Sequence, residues 1–194
     1  MPDNDIPWQE GTWTHPPHDV VVEDRHLVVT AIEGSDAWRH TAYDFVHDSE
    51  HALLAPLMIG EAMEVSFRAP WRGQFDQAGL FVRAGAEHWV KAGVEHADGH
   101  LGLGAVVTAV RSDWSIGFVD EWRDADITVR VSRWSDAVIV RARAGAEEWR
   151  LVRVAPFASA GAVAAGPFLA APTRRGLAVR FTRWARGTAD AALH

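Results

Sequence analysis

In the segment His88–His96 a tryptophan, a lysine and a glutamate recur at alternate positions. Read as a β-strand, it turns Trp89, Lys91, Gly93 and Glu95 to one face and Val90, Ala92 and Val94 to the other. The second face is core. The first is too polar for a core and too aromatic for a plain solvated surface. A tryptophan there offers a sugar ring a broad apolar plane and an N–H donor. Lys91 and Glu95 stand about 13 Å apart along a strand. That is too far for a direct ion pair, but each could serve one ligand lying between them. The preceding segment alternates in the same way, with Ala78, Leu80 and Val82 inward and Gln77, Gly79, Phe81 and Arg83 outward. A hairpin through Gly85–Glu87 that matches the apolar faces pairs Val82 with Val90 and Leu80 with Ala92. On the other face it pairs Arg83 with Trp89, Phe81 with Lys91, Gly79 with Gly93 and Gln77 with Glu95. A turn at Asp98-Gly99 then sets Gly102, Gly104, Val106 and Thr108 opposite Glu95, Gly93, Lys91 and Trp89. The expectation is a trough floored by Gly79, Gly93 and Gly104, since strand glycines mark close approach of a ligand or a backbone. Its ligand-binding residues are expected to be Gln77, Trp89, Lys91, Glu95 and Thr108. Asp113 and Trp114, just past a strand end, are expected at the rim.

Enzymatic chemistry finds less support. Glycoside hydrolysis needs two carboxyl groups about 5–5.5 Å or about 6.5–9.5 Å apart. Jelly-roll glucanases often carry them as E-x-D-x-E or E-x-D-x-x-E, and no such run occurs. Trp89-Val90-Lys91-Ala92-Gly93-Val94 is similar to the Tyr-Phe-Lys-Ala-Gly strand of jelly-roll alginate lyases. Those enzymes place a tyrosine two residues after that glycine, where this chain has Glu95. With Tyr43 the sole tyrosine, the proton-donor role has no obvious holder. Catalytic residues are left unassigned, with Glu95 and Lys91 the candidates. His15 and His18, or His47 and His51, have ligand-like spacing but no helix and no third ligand, so no metal is expected. No phosphate-binding glycine loop, nucleophile elbow or dinucleotide fingerprint is present, and no cofactor is expected.

The elements that would position these residues are short. Period-2 segments at 20–22, 26–32, 62–68, 77–82, 88–96, 101–110, 127–132, 137–142, 149–154 and 177–184 are separated by Gly, Asp and Pro. Helical stripes are absent, and the Ala- and Gly-rich stretch 155–171 is expected to hold a buried strand. The fold class this implies is all-β, a two-sheet antiparallel jelly-roll sandwich. The 194 residues suit one domain, taken as 11–186, with tails at 1–10 and 187–194, of which 1–6 and 187–194 are expected to fray. Nineteen basic against 26 acidic residues leave a net charge of −7. That argues against nucleic acid or an anionic membrane as the main partner. No apolar run approaches the ~20 residues of a membrane helix. The acidic start has no secretory signature, so the expected location is cytoplasmic.

Asp76-Gln77-Ala78-Gly79-Leu80, then Trp89–Glu95, Asp98-Gly99, Val106-Val107-Thr108 and Ser112-Asp113-Trp114-Ser115 together resemble the regulation-of-enolase family. Upstream, Ser35-Asp36-Ala37-Trp38-Arg39-His40-Thr41 with His51 is similar to a second family block. Gly166-Pro167-Phe168 and Val179-Arg180-Phe181 resemble its closing strand. The resemblance implies a concanavalin A-like jelly roll, and it brings Trp38 and His51 forward as supporting residues. It implies no reaction. The leading expectation is a module binding a carbohydrate-like small molecule. The alternatives are a protein-interaction module acting on a metabolic enzyme, and a glycan-processing enzyme. Open sheet edges allow a monomer or a homodimer. Lys91 is the one lysine among the 19 basic residues. Its survival in an arginine-rich chain suggests a place where a compact ammonium fits and a guanidinium does not.

Overall fold

A computed structural model of the chain describes residues 4–193. Two large sheets carry the structure, and every strand pair in them is antiparallel. One sheet runs β15 (Arg150–Pro156), β14 (Ala137–Ala144), β13 (Ile127–Arg133), β8 (Glu61–Arg68), β17 (Ala178–Thr188), β4 (His26–Thr30) and β3 (Asp19–Glu23), with β1 (Asn4–Asp5) added on β17. The other runs β12 (Arg111–Phe118), β11 (His100–Ala109), β10 (His88–Ala97), β9 (Asp76–Gly85), β16 (Ala164–Ala170), β7 (His51–Pro56) and β2 (Thr12–Trp13). A small hairpin of β5 (Ala37–Arg39) and β6 (Val46–Asp48) stands apart from both. The described residues contain two 3₁₀ turns and no α-helix. The chain is therefore an all-β antiparallel sandwich.

Alternation produces this arrangement. Ala78, Leu80, Val82, Val90, Ala92 and Val94 point between the sheets and join Val65, Phe67, Val129 and Val131 in the main core. The β9–β10 register is the expected one at Gln77↔Glu95, Gly79↔Gly93, Phe81↔Lys91 and Arg83↔Trp89. The β10–β11 register is also as read, with Gly93↔Gly104 and Trp89↔Thr108. The β9–β10 loop is one residue shorter than expected: Gly85 pairs with His88, and a register shift follows at Trp89.

The outer face of the second sheet departs from expectation. It carries its own apolar cluster of Ala37, Ala52, Phe81, Trp89, Val106, Phe168 and Ala170. The β5–β6 arm supplies Ala37 to this cluster and packs Trp38 against it. The expected tails also need correction. The Ile6 N–H donates to the Trp184 carbonyl at 2.7 Å, and Trp8 stacks on Trp184. At the other end Asp190 accepts from Arg130 and Arg141, each at 3.0 Å. A carboxylate between two guanidiniums, and an apolar end buried on Trp184, hold both segments against fraying. Met1–Asp3 and His194, the outermost residues expected to fray, lie outside the described residues.

Candidate functional site

The outer face of the second sheet holds a cavity of about 760 Å³. That lies within the roughly 300–1,000 Å³ of small-molecule sites. Its floor comes from Gln77 on β9, Lys91 and Glu95 on β10, and Val106 on β11. Ser112, Asp113 and Trp114 of β12 form one wall. The arm forms the opposite wall with Asp36, Trp38, Thr41, Ala42, Tyr43 and Phe45, and Phe75 closes one end.

Lys91 is buried at 6 % exposure. Its Nζ donates to Asp36 Oδ1 and to Gln77 Oε1, both at 2.8 Å. Asp36 Oδ1 also accepts from the Ala37 N–H at 2.8 Å and, more weakly, from Gln77 Nε2 at 3.4 Å. The three side chains form a closed polar knot in which the lysine charge is answered by the aspartate. An ammonium carries three protons, so one remains for a ligand.

Glu95 is different. Among the described residues no hydrogen bond or ion pair is made to its carboxyl group. Burial pushes its pKa above the usual carboxylate range; Lys91 works against that rise, while Asp36 and Asp98 add to it. A carboxyl group is thus held at the cavity floor with its polar atoms uncommitted.

The arm is tied down where the sheet ends. Thr108 is fully buried, and its Oγ1 lies 2.9 Å from Ser112 Oγ. Ser112 Oγ in turn accepts the Arg39 N–H at 2.9 Å. Thr108 therefore supports the wall from behind and does not line the cavity. Trp89 is 3 % exposed, stacked on Phe81 at 5.3 Å, and absent from the cavity wall. It faces the expected side of the sheet, but the arm and its cluster bury it, so a stacking role for Trp89 is corrected to packing. Trp114, at 45 % exposure, and the half-buried Trp38 are the tryptophans that reach the cavity. Trp38 is held by its indole N–H donating to the Thr41 carbonyl at 2.9 Å.

Asp113 and Trp114 sit within edge strand β12, not in a loop beyond a strand end. Asp113 is bound by Arg153 at 2.9 Å from the facing sheet. Gly79, Gly93 and Gly104 neighbour one another across three strands, as expected. Their cause is backbone crowding. A Cβ on Gly79 would lie 2.1 Å from the Ala92 carbonyl oxygen, and one on Gly104 would lie 2.1 Å from that of Ser115. Gly93 and Gly104 line only a small depression of about 20 Å³ beside the main cavity.

His51 is 1 % exposed and does not reach the cavity. Its Nε2 accepts the Ile32 N–H at 3.1 Å, and its Nδ1 faces the His15 carbonyl at 3.0 Å. One neutral tautomer satisfies both bonds, and burial lowers the ring pKa. His15, Asp48 and Glu50 bring potential ligand atoms within 4.8 Å of one another. The Arg83 guanidinium already stands 3.4 Å from Glu50 and 3.6 Å from Asp48. His15 Nδ1 is also turned to the Glu50 carbonyl at 2.9 Å. The positive charge of that cluster is arginine.

Sequence reasoning missed Asp36 and the aromatic arm. A signal for Asp36 existed: a lysine on a covered face needs a carboxylate, and Asp36 stands in the upstream block that matched together with the Lys91 strand.

Comparison with known proteins adds four findings. Residues 13–188 match the family described as "Protein of unknown function (DUF1349)". "Regulation of enolase protein 1" of Saccharomyces cerevisiae is 34% identical over 175 residues, spanning 90% of this chain and 88% of that protein. A crystal structure of a functionally unknown protein from Saccharomyces cerevisiae superposes with a TM-score of 0.88 at 31% identity, over 96% of this chain and 100% of that one. A Griffonia simplicifolia lectin, I-B4, shares the fold alone, with a TM-score of 0.58 at 12% identity over 92% of this chain and 93% of its own.

Proposed function

The chain belongs to the DUF1349 family, and from that premise we propose that it is a binding module for a carbohydrate-like small molecule, held in the cavity between the β5–β6 arm and β12. The observation that carries this reading is the composition of the cavity. A polar floor of Gln77, Lys91 and Glu95 lies between aromatic walls from Trp38, Tyr43, Phe45, Phe75 and Trp114. A sugar ring has the matching character, with apolar faces for aromatic planes and hydroxyls for donors and acceptors. Lys91 has one N–H to give, and Glu95 can accept. The lectin of the same fold is consistent with this reading and adds only analogy.

The test is a tryptophan-fluorescence titration with a panel of neutral oligosaccharides, comparing the wild type with Trp114→Ala. Trp114 is exposed enough for removal to leave the thermal midpoint close to the wild type. The expected result is a saturable change in the wild type that weakens at least tenfold in the variant. Equal binding by both proteins overturns the assignment, and bond cleavage during the titration moves the protein to the glycan-processing class.

A second reading is favoured by the name of the yeast relative, which describes regulation of enolase. On that reading the module acts on a metabolic enzyme, and the exposed Tyr43 and Phe45 at the tip of the arm are the surface to mutate.

A further inference from the structure

The polar floor of the cavity is unequal in charge. Lys91 is matched by Asp36 at 2.8 Å. At the rim Asp113 is matched by Arg153 at 2.9 Å. Glu95 has no such match among the described residues, and beyond Lys91 the charges that act on it are the carboxylates of Asp36 and Asp98. The surplus charge of the site is therefore negative and located at Glu95. The walls have a compatible property. Aromatic faces attract cations through their quadrupoles, more strongly where the pair is desolvated. Trp38, Tyr43, Phe45 and Trp114 line the same cavity as this uncommitted carboxyl group.

We infer that the cavity selects ligands bearing a protonated amine, an amino-substituted sugar above a neutral or acidic one, with the ammonium received by Glu95. This deepens, and rests on, the proposed binding of a carbohydrate-like molecule. A neutral hydroxyl leaves the surplus charge of the floor standing. An ammonium cancels it and donates up to three hydrogen bonds. A uronate brings a like charge, and the one free Lys91 proton is too little to offset it. The rise in the Glu95 pKa agrees: the surroundings disfavour its charge, and a bound cation removes that penalty.

The experiment uses the full chain and three β-1,4-linked tetrasaccharides in isothermal titration at low salt and near-neutral pH. These are cellotetraose, its 2-amino counterpart the glucosamine tetramer, and the N-acetylated form of that tetramer, which keeps the nitrogen but loses the charge. The glucosamine tetramer is expected to bind at least tenfold more tightly than either neutral tetramer. That advantage should shrink as salt is raised, and Glu95→Gln should bring the three to within about twofold. Equal affinities in the wild type overturn the charge inference and leave the cavity reading intact. Tighter binding of either neutral tetramer does the same. If none of the three binds and tryptophan fluorescence stays unchanged, the cavity reading and this inference fall together. The wild-type comparison stands on its own should the variant fold poorly.

Discussion

At the scale of single residues, Glu95 and Lys91 show two ways of keeping a charge on a covered face. Lys91 is stabilised by partners the fold supplies, and Glu95 is left without them. Its raised pKa has a definite consequence for stability. Between the ordinary carboxylate pKa and the raised folded value, the folded chain binds more protons than the unfolded chain. Stability contributed by protonated Glu95 is thus present at low pH and is lost as pH rises through the folded pKa. Glu95→Gln removes that loss. Urea denaturation from pH 5 to 8 should find the variant more stable at the upper end, by about 0.5–2 kcal/mol, and the difference should narrow as pH falls. A constant difference across that range would show that the carboxyl does not titrate in the folded state as described. A carboxyl group costing stability where it sits is what a binding function asks of a residue.

The arm, β5–β6, is the element on which the site depends. Its strands are three residues each, and the loop between them places His40, Ala42 and Asp44 in the left-handed region without a glycine. Such a hairpin has little intrinsic stability. It is held by Ser112, which bonds the Arg39 N–H on one side and Thr108 on the other. Ser112→Ala should raise amide hydrogen exchange across residues 37–48 about tenfold while leaving β13 and β14 at wild-type protection. Uniform acceleration everywhere would instead mark a global loss of stability. The contrast in legibility follows from the same physics. The β9–β10–β11 register was readable because Val82, Val90 and Ala92 alternate against a face of different character, and a one-residue slip would invert it. The arm was not readable, because three-residue strands carry no period and left-handed Ala42 follows no turn rule. Trp89 stands on the expected face in unexpected surroundings for that reason: the apolar cluster that buries it includes Ala37 of the arm. β12 was hidden because Arg111–Phe118 is an edge strand largely exposed on both sides, so its alternation encodes no core.

For the molecule as a whole, the loop carrying Phe75 at the cavity end is anchored from a distant part of the chain. Asp76 is fully buried and accepts from Arg174 Nε and Nη2 at 2.9 and 2.7 Å. It also accepts the Arg72 and Gly73 N–H groups at 3.0 and 2.8 Å. Arg174→Ala would leave that carboxylate without its cation. A buried pair broken this way costs about 3–5 kcal/mol, and partial exposure of Arg174 sets the expectation at about 3. Chemical denaturation measures it, and a loss below about 1 kcal/mol would mean that the backbone donors suffice.

Strand β17 is the last in sequence of the seventeen among the described residues, yet it lies in the interior of its sheet, between β8 and β4. During synthesis β8 and β4 each wait with an open edge until Ala178–Thr188 emerges. The hairpins from β9 to β12, which floor the cavity, need only chain already made. The β9–β12 part of the ligand-facing sheet can thus take shape on the ribosome, while its β7 side waits for β16 and the opposite sheet closes last of all. A nascent chain halted before residue 178 would expose two unpaired edges, the state in which β proteins aggregate and chaperones engage them.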